Sequence, residues 1–199
     1  MPATPSDITV LLERSRGGDA AAREQVFAIA YEELRRVASN LMRAERLGHT
    51  LSPTAVVNET YLRLVAYDAS FTHSRRDFFA LCSTVMRHVL ADHARQRRRT
   101  KRGAGLDRVE FEDLTFEIDP RLTNSHGYEA CDLAEAIFDL ERKDPRGASI
   151  LELKVFGGLT THEVAEHLGV STSTVARDYK ACLSWCYTTL SREGKGPRP

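Results

Sequence analysis

Apolar residues recur every three or four positions along most of this 199-residue sequence. That spacing places them on one face of a helix, whereas the strict alternation that marks a strand is nearly absent. The positions in the N-terminal half are Val26, Phe27, Ile29, Ala30, Leu34, Val37 and Leu41, then Val56, Val57, Leu62 and Val65, then Phe78, Phe79, Leu81, Val85 and Val89. The pattern predicts an all-α fold.

Charge is segregated along the chain, although the net charge is +0. Residues 87–102 contain seven basic side chains and one acidic one, and residues 107–139 contain ten acidic side chains and two arginines. Gly103 and Gly105 just before the acidic block, with Pro120 and Gly127 inside it, indicate a poorly structured connector. Helical spacing resumes after it, at Leu133, Ile137 and Leu140 and then at Ile150, Leu153, Val155 and Phe156.

These boundaries predict two small helical domains joined by an acidic flexible linker. The first domain spans 1–99, the linker 100–128 and the second domain 129–191, and 192–199 form a disordered tail. A content of 42% hydrophobic and 28% charged residues is typical of a soluble globular protein.

Apolar runs and the N-terminus predict a cytoplasmic protein. No run of about 18 apolar residues could span a bilayer, and Asp7, Glu13 and Arg14 interrupt any signal sequence. We therefore expect a cytoplasmic location and no membrane partner. The four cysteines form no Cys-x-x-Cys pair, so we expect them to be small buried hydrophobic residues.

The stretch from Gly158 to Leu190 predicts a helix-turn-helix. Thr160 or Thr161 can cap a first helix, THEVAEHL, and Gly169 supplies the positive φ that a sharp turn requires. Val170 then points inward, and Ser171 caps a second helix. The expected buried stripe of that helix is Val175, Tyr179, Cys182 or Leu183, and Cys186.

The opposite face of the second helix has the chemistry of a DNA reader. Its N-terminal end carries short or cationic side chains, namely Thr172, Ser173, Thr174, Ala176, Arg177 and Lys180. Arg177 can bond guanine with both arms of its guanidinium, and Thr174 with the amides of the first turn can hold phosphate. The alternative is an ordinary helical hairpin with a solvated face.

No pattern for catalysis is present. His162, Glu163 and His167 resemble a zinc-protease motif, but the second histidine comes one residue too late. At about 100° per residue the two rings point roughly 140° apart, so we expect surface or capping residues. A Gly-rich phosphate loop and a nucleophile motif are also missing. We therefore expect that the chain is not an enzyme and that it has no catalytic residue, metal or cofactor.

Three segments together resemble a known family. The string GGLTTHEVAEHLGVSTSTVARDYKACLSW is similar to the fourth conserved region of bacterial RNA polymerase sigma factors of the extracytoplasmic-function (ECF) class. Upstream, SPTAVVNETYLRLV resembles a helix of their second region, and FFALCSTVMRHVLADHARQRRR resembles its promoter-melting and −10-reading segment. The order of the three segments is that of the family.

The resemblance implies partners for each predicted domain. The first domain, a region 2 helical bundle, is expected to bind the clamp helices of the largest subunit of core RNA polymerase and to open the −10 element of promoter DNA. The second domain, a region 4 helix-turn-helix, is expected to read the −35 element. The acidic linker is expected to thread toward the positively charged channel of the polymerase, since carboxylates can mimic phosphate.

The expected −10 contacts come from a loop and a helix. The loop YDASFTHSRR offers stacking surfaces and cations to unpaired bases, through Tyr67, Phe71, His73, Arg75 and Arg76. On the helix, Arg87, His88 and Arg95 can lie along duplex phosphate while Val85, Val89 and Leu90 occupy another face. Alternatively, this basic run is only a solvated helix end that does not bind DNA. Phe78 and Phe79 are expected in the core.

The predicted core-binding helix departs from the family pattern. The family usually opens this helix with Asp-Ala-Glu-Asp, but here Ser52, Pro53, Thr54 and Ala55 occupy those positions. Because the acids normally pair with basic residues of the polymerase, we expect the unmodified chain to bind core polymerase weakly. The expected core-binding residues are Thr54, Asn58, Glu59 and Arg63.

Hydroxyl groups stand where the acids are missing. Ser52 is a good N-cap with Pro53 at the first helical position, and Thr50 and Thr54 flank it. A phosphate there would add about two negative charges at a helix N-terminus, which the helix dipole stabilises. We hypothesise activation by a Ser/Thr protein kinase at one of these three residues, with Thr50 and Thr54 preferred over Ser52, whose hydroxyl is occupied as the cap. Alternatively, these are unmodified cap and turn residues.

A different class of regulator is the competing interpretation. The chain could be a stand-alone helix-turn-helix repressor or activator whose N-terminal helices dimerise or sense a ligand. Such a protein would bind a palindromic site as a dimer without polymerase. A sigma factor would bind promoters well only with core enzyme.

Overall fold

The computed structural model describes residues 5–42, 51–66, 74–100 and 130–192. Every regular element in these ranges is a helix, which confirms the all-α prediction. Residues 101–128 of the predicted linker and 193–199 of the predicted tail lie outside them, so the domain boundaries stay a prediction. The helices are α1 (Pro5–Arg16), α2 (Ala20–Leu41), α3 (Pro53–Ala66), α4 (Arg75–Thr100), α5 (Ala130–Glu141), α6 (Pro145–Val155), α7 (Thr161–Leu168) and α8 (Thr172–Arg192).

Polar caps begin the N-terminal helices. The Asp19 carboxylate accepts a hydrogen bond from the amide of Ala22 at 3.0 Å and starts α2. At α3, the Ser52 hydroxyl accepts from the amide of Ala55 at 3.1 Å, with Pro53 as the first helical residue. The predicted capping role of Ser52 is confirmed. Each cap satisfies an amide that the helix itself leaves without a partner.

Helix α4 anchors the core of the first four helices. Phe78 and Phe79, each 1% exposed, confirm the expectation that they are core residues, and their rings meet edge to face at 5.5 Å. Phe78 also meets Phe27 of α2 at 5.5 Å. The other large buried side chains around them are Val26, Leu34, Val56, Leu64, Met86 and Leu90.

Two elements differ from the apolar periodicity. Leu62 and Val65 were predicted on the buried face of α3, but their side chains are 62% and 40% exposed. The buried face carries Val56, Val57, Thr60 and Leu64 instead, so α3 has apolar residues on both sides and periodicity selected the wrong pair. Helix α1, which the periodicity did not mark, buries Ile8, Leu11 and Leu12 against its neighbours.

The predicted helix-turn-helix is confirmed in α7 and α8. The Thr160 hydroxyl accepts from the amide of Glu163, and Glu163 bonds back to the Thr160 amide, so Thr160 rather than Thr161 is the cap. Gly169 ends α7 at φ +66°. The Ser171 hydroxyl accepts from the Thr174 amide at 3.1 Å and begins α8. The buried stripe of α8 is Val175, Cys182, Cys186 and Leu190, with Tyr179 and Leu183 partly buried.

The last four helices lie against the first four. Helices α5, α6 and α7 all pack on α4. The turn after α6 lies very close to α2 and α4. A Cβ on Gly158 would lie 2.8 Å from Val37 of α2, and one on Gly157 would lie 3.1 Å from Ser83 of α4. The sequence made no prediction about this packing. This packing places side chains of α5, α6 and α7 against α4.

All four cysteines are buried thiols, as expected. Burial raises the pKa of Cys186 to about 12, which leaves its thiol unreactive. Within the described ranges, no helix is long and apolar enough to cross a membrane.

Replacing Gly169 tests the turn. The conformation at φ +66° costs a residue with a Cβ roughly 1–2 kcal/mol, although no atom blocks the side chain. We expect Gly169→Ala to lower the free energy of unfolding by about that amount and Gly169→Asn by less, because Asn tolerates this region. Urea denaturation followed by circular dichroism measures both. Equal losses for Ala and Asn would contradict the argument.

Candidate nucleic-acid interface

The start of α8 presents an exposed polar and cationic surface. Arg177 is 72% exposed along its side chain, and Thr172, Ser173 and Lys180 are also exposed. Thr174 is half-buried, and its hydroxyl lies 2.8 Å from that of the capping Ser171. The sequence-predicted DNA-reading residues therefore share one surface at the N-terminal end of one helix.

An acid next to Arg177 orients it. Arg177 Nε donates to Asp178 Oδ1 at 3.0 Å, and Arg146 of α6 donates to Asp178 Oδ2 at 2.9 Å. The hydrogen bond from Arg177, followed by the two guanidinium charges, lowers the pKa of Asp178. Sequence reasoning did not single out Asp178 or Arg146.

Arg87 does not occupy the surface predicted for it. It was expected to lie along DNA, but it is 4% exposed. Its guanidinium lies 3.2 Å from Glu141 Oε2, pairs with Glu152 through Nε, and lies 4.0 Å from the centre of the Phe138 ring. The reason is that α5 and α6 pack on α4 and supply these three partners of Arg87. The solvated helix end that was weighed as the alternative does not describe Arg87 either.

His88 and Arg95 flank the same aromatic ring. The imidazole of His88 stacks on Phe138 with centroids 5.2 Å apart and planes 13° apart. Arg95 donates to Asp92 at 3.1 Å and lies 5.3 Å from the Phe138 centroid. Partial burial, followed by the charge of Arg87, lowers the pKa of His88. Both residues remain exposed at their outer edges.

The arginines at the start of α4 also have acidic partners. Arg75 pairs with Glu33 of α2 and donates to Glu163 of α7 at 2.8 Å. Arg76 donates to Glu166 of α7 at 3.0 Å. Burial raises the pKa of Glu163, but hydrogen bonds from Thr160 and the charge of Arg75 outweigh it, so the net pKa is lowered. The loop residues Tyr67, Phe71 and His73 lie outside the described residues.

The predicted core-binding residues lie along α3. Thr54 and Asn58 are exposed, and the first turn of α3 contains no acid. Arg63 donates to Glu59 of the same helix at 3.0 Å and to Asp92 of α4 at 2.9 Å, so Arg63 also ties α3 to α4. Thr50 lies outside the described residues. Tyr61, Leu62 and Val65 extend the exposed face of α3, which the sequence prediction missed.

The histidine motif that resembles a zinc site has other contacts. His162 lies 3.2 Å from Glu166, and His167 lies 3.3 Å from Asp77 of α4. No group of three or more possible ligands forms within the part of the chain that the structure describes. Glu163 acts as the capping residue and as the partner of Arg75.

The acids that meet α4 were missed by sequence reasoning, yet one left a signal. Ala148, Glu152 and Phe156 lie four residues apart and are all buried, so Glu152 occupies the apolar face of α6. A carboxylate at such a position indicates a buried cationic partner, because an unpaired buried charge is costly. The spacing alone does not identify that partner as Arg87.

Comparison with known proteins identifies the family. The family model described as "ECF sigma factor" matches residues 5–192, which include both groups of helices. The chain belongs to the ECF sigma factor family. The match confirms the family resemblance found in the sequence, and it does not favour the stand-alone helix-turn-helix regulator.

A curated relative supports the same assignment. The chain is 26% identical over 180 residues to the ECF RNA polymerase sigma factor BldN of Streptomyces coelicolor. The matched region covers 87% of this chain and 63% of that protein. The chain therefore spans less than two thirds of the length of this relative.

Removing the Phe138 ring tests the environment of His88. Because burial is the main cause of the lowered pKa, Phe138→Ala should raise the pKa of His88 toward its ordinary value. Phe138→Leu retains an apolar cover and should shift it less. NMR titration of the His88 ring resonances measures both variants. An unchanged pKa in Phe138→Ala would contradict the described packing of α5 on α4.

Proposed function

We propose that this chain is a sigma factor, which binds core RNA polymerase and directs initiation at specific promoters. The family match across residues 5–192 carries the proposal. The exposed cationic start of α8 supports it independently, because a recognition helix needs accessible donors at its N-terminal end. The proposed role is non-enzymatic, requires no cofactor, and is exercised in the cytoplasm with the polymerase.

Helix α8 is the proposed reader of the −35 element. Arg177 and Lys180 are the proposed base and phosphate contacts, with Thr172, Ser173 and Thr174 around the first turn. Helices α5 to α8 would form the second domain, region 4, within 129–191. The exposure of these side chains supports this role, since no rearrangement of α8 is needed before DNA can approach.

Helix α4 and the preceding loop are the proposed −10 interface. Tyr67, Phe71 and His73 would contact unpaired bases, and the basic side chains Arg75, Arg76, Arg87, His88 and Arg95 would contact the backbone. This role requires Arg75, Arg76 and Arg87 to exchange their carboxylate partners for phosphate. The first domain, within 1–99, would hold these residues beside the polymerase clamp.

Helix α3 is the proposed contact with the clamp helices of the largest polymerase subunit. Thr54, Asn58, Glu59 and Arg63 are the proposed polar contacts. The acid-free first turn of α3 supports weak binding by the unmodified chain. A Ser/Thr protein kinase would strengthen it by phosphorylating Thr54 or Thr50. Exposed Thr54 suits a kinase better than Ser52, whose hydroxyl is engaged as the cap.

Run-off transcription tests the sigma activity and the role of Arg177. Selected promoter fragments should be transcribed by core polymerase only when the chain is added. Arg177→Ala should reduce this transcription by about tenfold, since a base-reading arginine contributes ~1–3 kcal/mol of discrimination. Arg192→Ala, an exposed change at the other end of α8, is the matched control. Promoter binding as a dimer without polymerase would instead support the stand-alone regulator.

A polymerase pull-down tests the kinase hypothesis. Thr54→Glu should bind core polymerase more tightly than the wild type from a kinase-free host, because a charge favoured by the helix dipole is restored. Thr54→Ala and Thr50→Ala are tested singly and together. The variant that removes the phosphorylated hydroxyl should abolish any gain in polymerase binding from kinase treatment. Thr188→Glu on α8 controls for added charge. The hypothesis fails if unmodified wild type binds as tightly as Thr54→Glu.

A further inference from the structure

Four carboxylates and one ring from the C-terminal helices lie on the basic face of α4. We refer to them as the acidic cover, which consists of Phe138 and Glu141 of α5, Glu152 of α6, and Glu163 and Glu166 of α7. Glu141 and Glu152 bind Arg87, Glu163 binds Arg75, and Glu166 binds Arg76. The cover therefore reaches three arginines across about three turns of α4.

The chemistry of this contact is that of a reversible interface. Arg87 is 4% exposed and Glu152 12% exposed along the side chain, so both charges have lost most of their water. A buried ion pair gives little net stability, because desolvation offsets the attraction, and apolar residues would hold a permanent interface better. Charged side chains, in contrast, are readily solvated once the surfaces separate. The Thr84 hydroxyl, which bonds Glu152, is equally suited to water.

From these contacts we propose that the C-terminal helices act as an intramolecular competitor of DNA for α4. The inference rests on the proposed function, in which Arg75, Arg76 and Arg87 contact promoter DNA. Guanidinium binds carboxylate and phosphate through the same donors, so the carboxylates of the acidic cover and the phosphates of DNA compete for these arginines. DNA reaches α4 only after the acidic cover has moved away. The closed chain described here is the form that does not bind the −10 element.

The other proposed contact surfaces stay exposed in the closed chain. Thr54 and Asn58 on α3, and Arg177 and Lys180 on α8, are all exposed. Polymerase can therefore dock on the closed form, and opening follows docking. A free chain is then prevented from holding DNA through α4 in the absence of polymerase.

Charge reversal within the cover tests the proposal in the full-length chain. Glu141 and Glu166 are each 51% exposed, so the double variant Glu141→Arg with Glu166→Arg should fold while repelling Arg87 and Arg76. The matched control, Glu13→Arg with Glu32→Arg, makes the same change in net charge at exposed positions of α1 and α2. A milder pair, Glu141→Gln with Glu166→Gln, serves if the reversed pair is unstable by circular dichroism.

Each variant also carries Arg177→Ala and Lys180→Ala, so that α8 adds little DNA affinity. Two measurements are then made. Small-angle X-ray scattering measures the radius of gyration, which should rise in the cover variant only. Fluorescence anisotropy measures the Kd for a labelled forked DNA with duplex and single-stranded arms. We expect the cover variant to bind at least about fivefold more tightly than the control variant, a typical coupling between two sites.

The outcomes separate this inference from the proposed function. A cover variant that opens but binds the forked DNA no better than the control overturns the competition. A cover variant that folds and remains as compact as the wild type overturns the claim that these carboxylates hold the chain closed. If wild type fails in run-off transcription while the cover variant opens and gains affinity, the sigma function fails and the intramolecular competition stands. If the wild type is active in run-off transcription but the cover variant gains no affinity for the forked DNA, only the competition is rejected.

Discussion

Helix α4 is packed from two sides, and the other elements are arranged around that constraint. One face, with Phe78, Met86 and Leu90, is apolar and lies in the core of the first four helices. Another face carries Thr84 and Arg87 and lies against α5 and α6. A guanidinium at this depth requires compensating charge and a surface on which to stack. The positions of α5 and α6 meet that requirement.

The features that were predictable from sequence are those set by neighbouring residues. Thr160, Gly169 and Ser171 define the helix-turn-helix. Two of them are caps and one is a left-handed residue, and each acts only on the helical turn next to it. Leu62 and Val65 show where this reasoning fails. Helix α3 carries apolar residues on two faces, and only the packing of α2 and α4 determines which face is buried.

The candidate site divides in the same way. The exposed side chain of Arg177 follows from its place in the first turns of α8, which the local pattern specifies. The environment of Arg87 depends on Glu141, 54 residues away in sequence, and on Glu152, which is farther still. Periodicity describes α4 as a helix with a basic side but contains no information about which distant helix covers that side.

Glu163 and Glu166 differ in how freely each can change. Glu163 closes the capping box of α7 and also binds Arg75, so a substitution there alters the start of the helix-turn-helix together with its attachment to α4. Glu166 and Glu141 are half-exposed and cap no helix. Mutation at these two positions can therefore adjust the balance between closed and open chains while leaving the motif intact. Related proteins could differ in this set point through a few surface acids, without any change in promoter preference.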